Sequence, residues 1–198
     1  MRLGTLFVSC ALLGTGLVAL GPACKYDPVY DDEVKALGKE TPGGPDEYHR
    51  PGQPCGLCHR QGGVAKTDFS ISGTIFAGLG NLTGVNEARI DLVDSKGTSP
   101  PDTLVSTNCV GNFFVLRTNW DPAFPIVVRV TSISKVSQTM RSEIGRSSSC
   151  GDCHKPELPL HDPLSTVDHV YLFSGEDPAG KAASCRIDPD LTTYYEAP

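Results

Sequence analysis

Between Phe69 and Thr131 apolar and polar positions alternate with a period of two. Ile71, Gly73 and Ile75 alternate with Ser70, Ser72 and Thr74. Ala88, Ile90 and Leu92 alternate with Arg89 and Asp91, and Ile126, Val128 and Val130 with Val127, Arg129 and Thr131. Successive side chains of a strand point to opposite faces, so each run predicts a strand with one buried face. Positions 103–107 and 112–117 are shorter candidates. Turn-forming stretches at 78–84, 94–101 and Gly111-Asn112 separate the runs. Short strands, such turns and no long helical period predict a mainly β chain, with a small antiparallel β-sandwich over 67–134.

Outside that span the pattern fades. Residues 24–48 begin a proline- and glycine-rich stretch with several acids and read as a tether. Val34 and Leu37 sit three apart and allow a short helix over 31–39. Residues 136–144 read as extended or irregular, and 169–173 as a last strand, within an irregular C-terminal segment over 135–198. Residues 1–23 have the layout of a secretory signal: Arg2, an apolar run over 3–20, then Gly21-Pro22-Ala23. Cys24 directly follows and resembles a bacterial lipobox cysteine. That resemblance implies a lipidated N-terminus, a membrane tether rather than a span, and a periplasmic or cell-envelope location, expected at the outer membrane.

Charge narrows the partners. The chain has 17 Lys+Arg against 23 Asp+Glu, a net charge of −6. No basic run appears, which argues against nucleic acid. No nucleophile–base motif or phosphate loop is visible, so electron transfer is favoured over catalysis.

The eight cysteines carry the chemistry. Cys55-Gly56-Leu57-Cys58-His59 and Cys150-Gly151-Asp152-Cys153-His154 are two copies of CxxCH. Two cysteines so spaced can both bond one porphyrin edge, and the histidine that follows reaches the iron. The expected cofactor is therefore haem c, two per chain: one on Cys55 and Cys58 with His59 as proximal ligand, the other on Cys150 and Cys153 with His154. His49, His161, His169 and Met140 are the candidate distal ligands, with His49 and His169 preferred. Residues 49–66 then form the first haem segment, and 135–198 the second together with the C-terminal tail. Three other uses of the pairs stay open: a four-cysteine zinc or iron site, a dithiol redox unit, or structural disulfides in a lipoprotein that works through its sandwich. Cys109 and Cys185 remain, and in an oxidising compartment they are a candidate disulfide.

Two resemblances follow from these residues. Through its CxxCH motifs the chain resembles multihaem c-type cytochromes, which implies electron transfer to a redox partner protein. The stretches ISGTIFAG (71–78), ARIDLVDSKG (88–97), CVGNFFV (109–115) and FPIVVRVTS (124–132) resemble a carboxypeptidase regulatory-type, transthyretin-like sandwich. That family implies a scaffold or binding platform without catalytic residues.

The lipid anchor is directly testable. Cys24→Ser is expected to release the protein from the membrane fraction or leave its signal uncleaved. An unlipidated wild-type chain in the soluble periplasmic fraction would refute the anchor.

Overall fold

The structure is a computed structural model that describes residues 27–38, 46–78, 81–101, 105–154, 169–173, 185–187 and 194–196. The signal run, Cys24 and His161 lie outside the described residues. Among the described residues no helix is long and apolar enough to cross a membrane.

The chain is mainly β, in two sheets that enclose one apolar core. The first sheet is built on β1 (Phe69–Gly78). Along β1 run β2 (Asn81–Gly84), antiparallel, and, further along the chain, residues 112–116 and 170–173. The second sheet contains β3 (Arg89–Asp94) and β4 (Val105–Ser106). β5 (Asn112–Leu116) returns to the first sheet, antiparallel to β1. β6 (Ile126–Thr131) and β7 (Ser137–Thr139) complete the second sheet in the order β4-β3-β6-β7. β8 (Val170–Phe173) joins the first sheet, parallel to β1. β9 (Cys185–Ile187) and β10 (Tyr194–Glu196) pair with each other.

The alternation seen in the sequence places the core. Ile90 pairs with Val130 and Leu92 with Val128 across the β3–β6 ladder, and all four are buried. Their cross-strand contacts face Ile71, Ile75, Phe113 and Val115 of the first sheet, with Leu172 and Phe173 of β8 completing the same cluster. Val93, Val127 and Phe114 occupy the opposite faces and are exposed. The sandwich therefore extends past the C-terminal end of the expected 67–134 span: β7 and β8 come from the C-terminal segment.

β1 departs from the expectation of one buried face. All ten of its residues are buried. Ile71, Ile75 and Ala77 enter the core, while Ser70, Ser72, Thr74 and Phe76 are covered as well. Buried hydroxyls need partners, and each finds one. Ser70 Oγ donates to the Val115 carbonyl, Ser72 Oγ to the Ser148 carbonyl, and Thr74 Oγ1 to Asn112 Oδ1. Thr74 Oγ1 also accepts from the Gly52 N–H at 2.8 Å. Gly52, just ahead of the first CxxCH motif, and His169 cover Thr74 and Phe76.

The supposed tether also contributes. α1 (Pro28–Ala36) begins where Asp27 caps the Tyr30 N–H and Pro28 opens the first turn. Arg50 closes its other end, donating to the Leu37 and Gly38 carbonyls, as a cation at a helix C-terminus does. Arg60 lies 3.9 Å over the Tyr30 ring, and the Tyr30 hydroxyl accepts from Val64 N–H. The helix thus packs on the loop that follows the first motif.

Candidate functional site

The two motifs fold alike. Each opens as a short 3-10 turn, Cys55–Leu57 in one copy and Cys150–Asp152 in the other. Leu57 N–H donates to the Pro54 carbonyl at 3.0 Å and Asp152 N–H to the Ser149 carbonyl at 3.1 Å. His59 N–H reaches the Cys55 carbonyl at 2.8 Å, and His154 N–H the Cys150 carbonyl at 2.8 Å. Residues three apart in such a turn lie on one side. Each turn therefore places its two cysteines one turn apart, with the histidine one step beyond.

The turns are also neighbours, although 90-odd positions separate them in sequence. Ser149 bridges Ser72 in parallel on the edge of β1, next to β8 along the same edge. Cys150 follows into the core side, where Gly73 leaves its place: a Cβ on Gly73 would lie 2.7 Å from Cys150 Sγ. The first turn lies over the other face, where the Cys55 thiol donates to the Gln53 carbonyl at 3.6 Å, beside Ser72. Gly56 packs on Ser149, and Gly151 on Pro54.

None of the four motif cysteines is in a disulfide. Cys109 is disulfide-bonded; its partner is not among the described side chains, and the Cys185 side chain also lies outside them. Cys55 and Cys150 are half-buried as residues, but protein closely surrounds their sulfurs. Burial pushes the Cys55 thiol up, against the lowering effect of its Ser72 hydrogen bond. Burial pushes Cys150 up to about 12, and the negative charges of a Cys55 thiolate and of Asp152 act in the same direction. Cys153 is exposed.

Each motif histidine has a second histidine beside it. The His49 and His59 ring centroids are 5.8 Å apart, tilted by 34°. His59 Nδ1 lies 2.8 Å from Thr67 Oγ1 and 3.1 Å from the Thr67 carbonyl. Its ring stacks on Phe69 at 4.0 Å, and Phe69 stacks on Phe114 at 4.7 Å. His49 Nδ1 donates to the Asp46 carbonyl. A carbonyl can only accept, so a proton on Nδ1 of each ring satisfies these contacts and leaves Nε2 as the donor atom for a metal. In the second copy His154 and His169 line one crevice with Gly52, Gln53, Thr74, Cys150, Gly151 and Val170. The crevice holds about 10 Å³, a single water's worth. His169 is buried against Phe76, with ring centroids 4.6 Å apart.

The sequence-derived candidates thus sort themselves. Cys55, Cys58, Cys150, Cys153, His59, His154, His49 and His169 come together over β1. Met140 packs instead against the core beyond β7, its N–H bonded to the Val128 carbonyl of the other sheet. Among the described residues no group of three or more His, Cys, Asp or Glu side chains is placed to share one ion. Thr67, Phe69, Ser72 and Ser149 were not anticipated, because their roles depend on contacts between distant segments. The repeated glycine after each first cysteine was the visible signal. No known family, curated protein or solved structure matches the chain.

Thiol chemistry of the unmodified, reduced chain checks this geometry. The raised value leaves roughly one Cys150 in ten thousand as reactive thiolate at pH 8. Mass-mapped alkylation at that pH should label Cys153 first and Cys150 last. A thiol raised on folding keeps its proton in the folded state after the unfolded state has lost it. Stability is therefore expected to fall as pH rises from about 9 towards 12. Equal labelling of Cys150 and Cys153 would contradict the enclosed position of Cys150.

Proposed function

We propose that this chain is an exported dihaem c-type cytochrome that transfers electrons, held at the cell envelope by a lipid on Cys24. One observation carries the reading: two CxxCH turns of the same conformation lie side by side, and each motif histidine has a second histidine at hand. Attachment needs no oxidant. Each cysteine S–H adds across a vinyl group, sulfur to one carbon and hydrogen to the other. When bound, haem supplies an iron that cycles between the ferric and ferrous states.

The residues suit the cofactor at the first motif. His49 and His59, with ring centroids 5.8 Å apart, are the two residues that would hold the iron there. Thr67 and Asp46 hold the tautomers that offer Nε2, and Phe69 holds the His59 ring plane. At the second motif His154 and His169 are neighbours, but the crevice between them is water-sized. Seating a haem there requires the two rings to part, or the distal ligand to come from elsewhere, such as His161. Ligation by two histidines gives a lower potential than ligation by histidine and methionine. Cys109 is disulfide-bonded, whereas none of the four motif cysteines is in a disulfide. The sandwich, on its transthyretin-like resemblance, is the scaffold that brings the motifs together.

Protein matured with a haem c attachment system should carry two haems per chain that survive acid extraction, by intact mass and pyridine haemochrome. One zinc or iron ion on a haem-free chain would replace this reading with a four-cysteine metal site. His49→Ala should turn one of the two irons high-spin and open it to carbon monoxide when reduced, whereas Met140→Ala should leave both low-spin.

A further inference from the structure

The 24–48 stretch reads in sequence as a free tether, but the fold fastens part of it down. Asp27, the N-cap of α1, follows Cys24 by three residue steps. Both ends of α1 are tied to the first-motif segment. The Tyr30 hydroxyl accepts from the Val64 N–H, and the Arg60 guanidinium lies over the Tyr30 ring. Arg50, just ahead of that motif, donates to the Leu37 and Gly38 carbonyls. The slack between Cys24 and the folded body is then at most about 11 Å. A coil over the whole of 24–48 would separate its ends by about 25–30 Å on average.

The end of α1 nearest Cys24 carries exposed apolar surface. Val29, in its first turn, is 67 % exposed, and Val64, in the loop that Tyr30 holds, is 65 % exposed. They are the two most exposed large aliphatic side chains among the described residues. Val29 flanks Tyr30 in the chain, and Val64 meets it through its N–H. The helix is not built to lie flat in a membrane interface, which favours basic residues on the polar face. Asp31, Asp32 and Glu33 follow Val29, and Tyr30 and Val34 are half-buried. Contact is therefore by the tip of the helix and the loop beside it.

We propose that Val29 and Val64 form a membrane-seating surface that rests on lipid headgroups and turns the first-motif side of the sandwich towards the bilayer. This rests on the lipid-anchor reading and is independent of any haem. The occupant is lipid because so short an anchor holds this end of the body at the bilayer that carries it. The opposite side then faces away. α1 lies against the first motif, that motif lies over β1, and the second sheet lies beyond the core. Val93 and Val127, on the outer face of the second sheet, are thus further from the lipid by at least the sheet spacing of about 10 Å.

The test places a fluorescent non-natural residue at position 66, beside Val64, or at position 127 as the far-side reference. The full-length exported chain is reconstituted on phosphatidylcholine–phosphatidylethanolamine vesicles that carry a nitroxide on the headgroup. Intact mass first establishes the lipid on Cys24. The label at 66 should be quenched and the label at 127 should not. Val29→Ser with Val64→Ser should keep the lipid and the vesicle binding but lose the quenching at 66. Tyr30→Ala, which frees α1 from the loop and lengthens the tether, should do the same. If Tyr30→Ala does not fold, the valine pair decides alone. Equal quenching at 66 and 127, or quenching at 66 that ignores these substitutions, overturns the proposal and leaves the anchor standing. A spectral shift at 66 that persists without vesicles means that a second copy covers the face, and overturns it too. If Cys24 carries no lipid, the anchor reading fails separately. The surface is then read on the mature chain held by an N-terminal histidine tag to nickel-chelating lipid vesicles. The same contrast between 66 and 127 is expected there, and its absence overturns the surface itself.

Discussion

The burial of β1 on both faces is the constraint on which the site depends. A strand at the heart of a sandwich can leave its outer face to water. Here Ser70, Ser72 and Thr74 lie under protein, and an unpartnered buried hydroxyl costs about 1–3 kcal/mol. Their hydrogen bonds to Val115, Ser148, Asn112 and Gly52 are therefore structural requirements. Two of those partners, Gly52 and Ser148, are backbone groups just ahead of a CxxCH motif. Satisfying β1 fixes the entry of each motif, and the two turns then meet above and beside the strand.

The same burial sets the chemistry of the cysteines and histidines. Cys150 fills the gap that Gly73 leaves in the core, so its thiol is kept protonated and shielded. Cys153, in the same motif, stays exposed. The histidines are treated unequally too. His59 is half-buried and held by Thr67 and Phe69, whereas His169 is buried beside Phe76.

Much of the β framework was legible in the sequence, because β3 and β6 alternate cleanly and each has one wet face. The second burial of β1 was not, because serine and threonine at alternate positions read as a solvent face. β2 was hidden in a glycine-rich stretch, Asn81–Gly84. α1 starts earlier than the Val34–Leu37 spacing placed it, since Asp27-Pro28 supplies the cap and first turn. The motifs themselves were plain. Their meeting was not, because it depends on a parallel bridge between Ser72 and Ser149 across the length of the sandwich. The preference for His49 and His169 over Met140 came from counting spare histidines. Their places beside His59 and His154 could be seen only once β8 and the segment before Cys55 were both laid against β1.

X-ray absorption on protein matured with a haem c attachment system tests the central claim most directly, because it identifies the metal and its ligand atoms together. Two irons per chain, each with a shell of nitrogen scatterers and no sulfur, is the expected result for two haems with histidine on both sides. A single zinc or iron per chain in a shell of four sulfurs would contradict it.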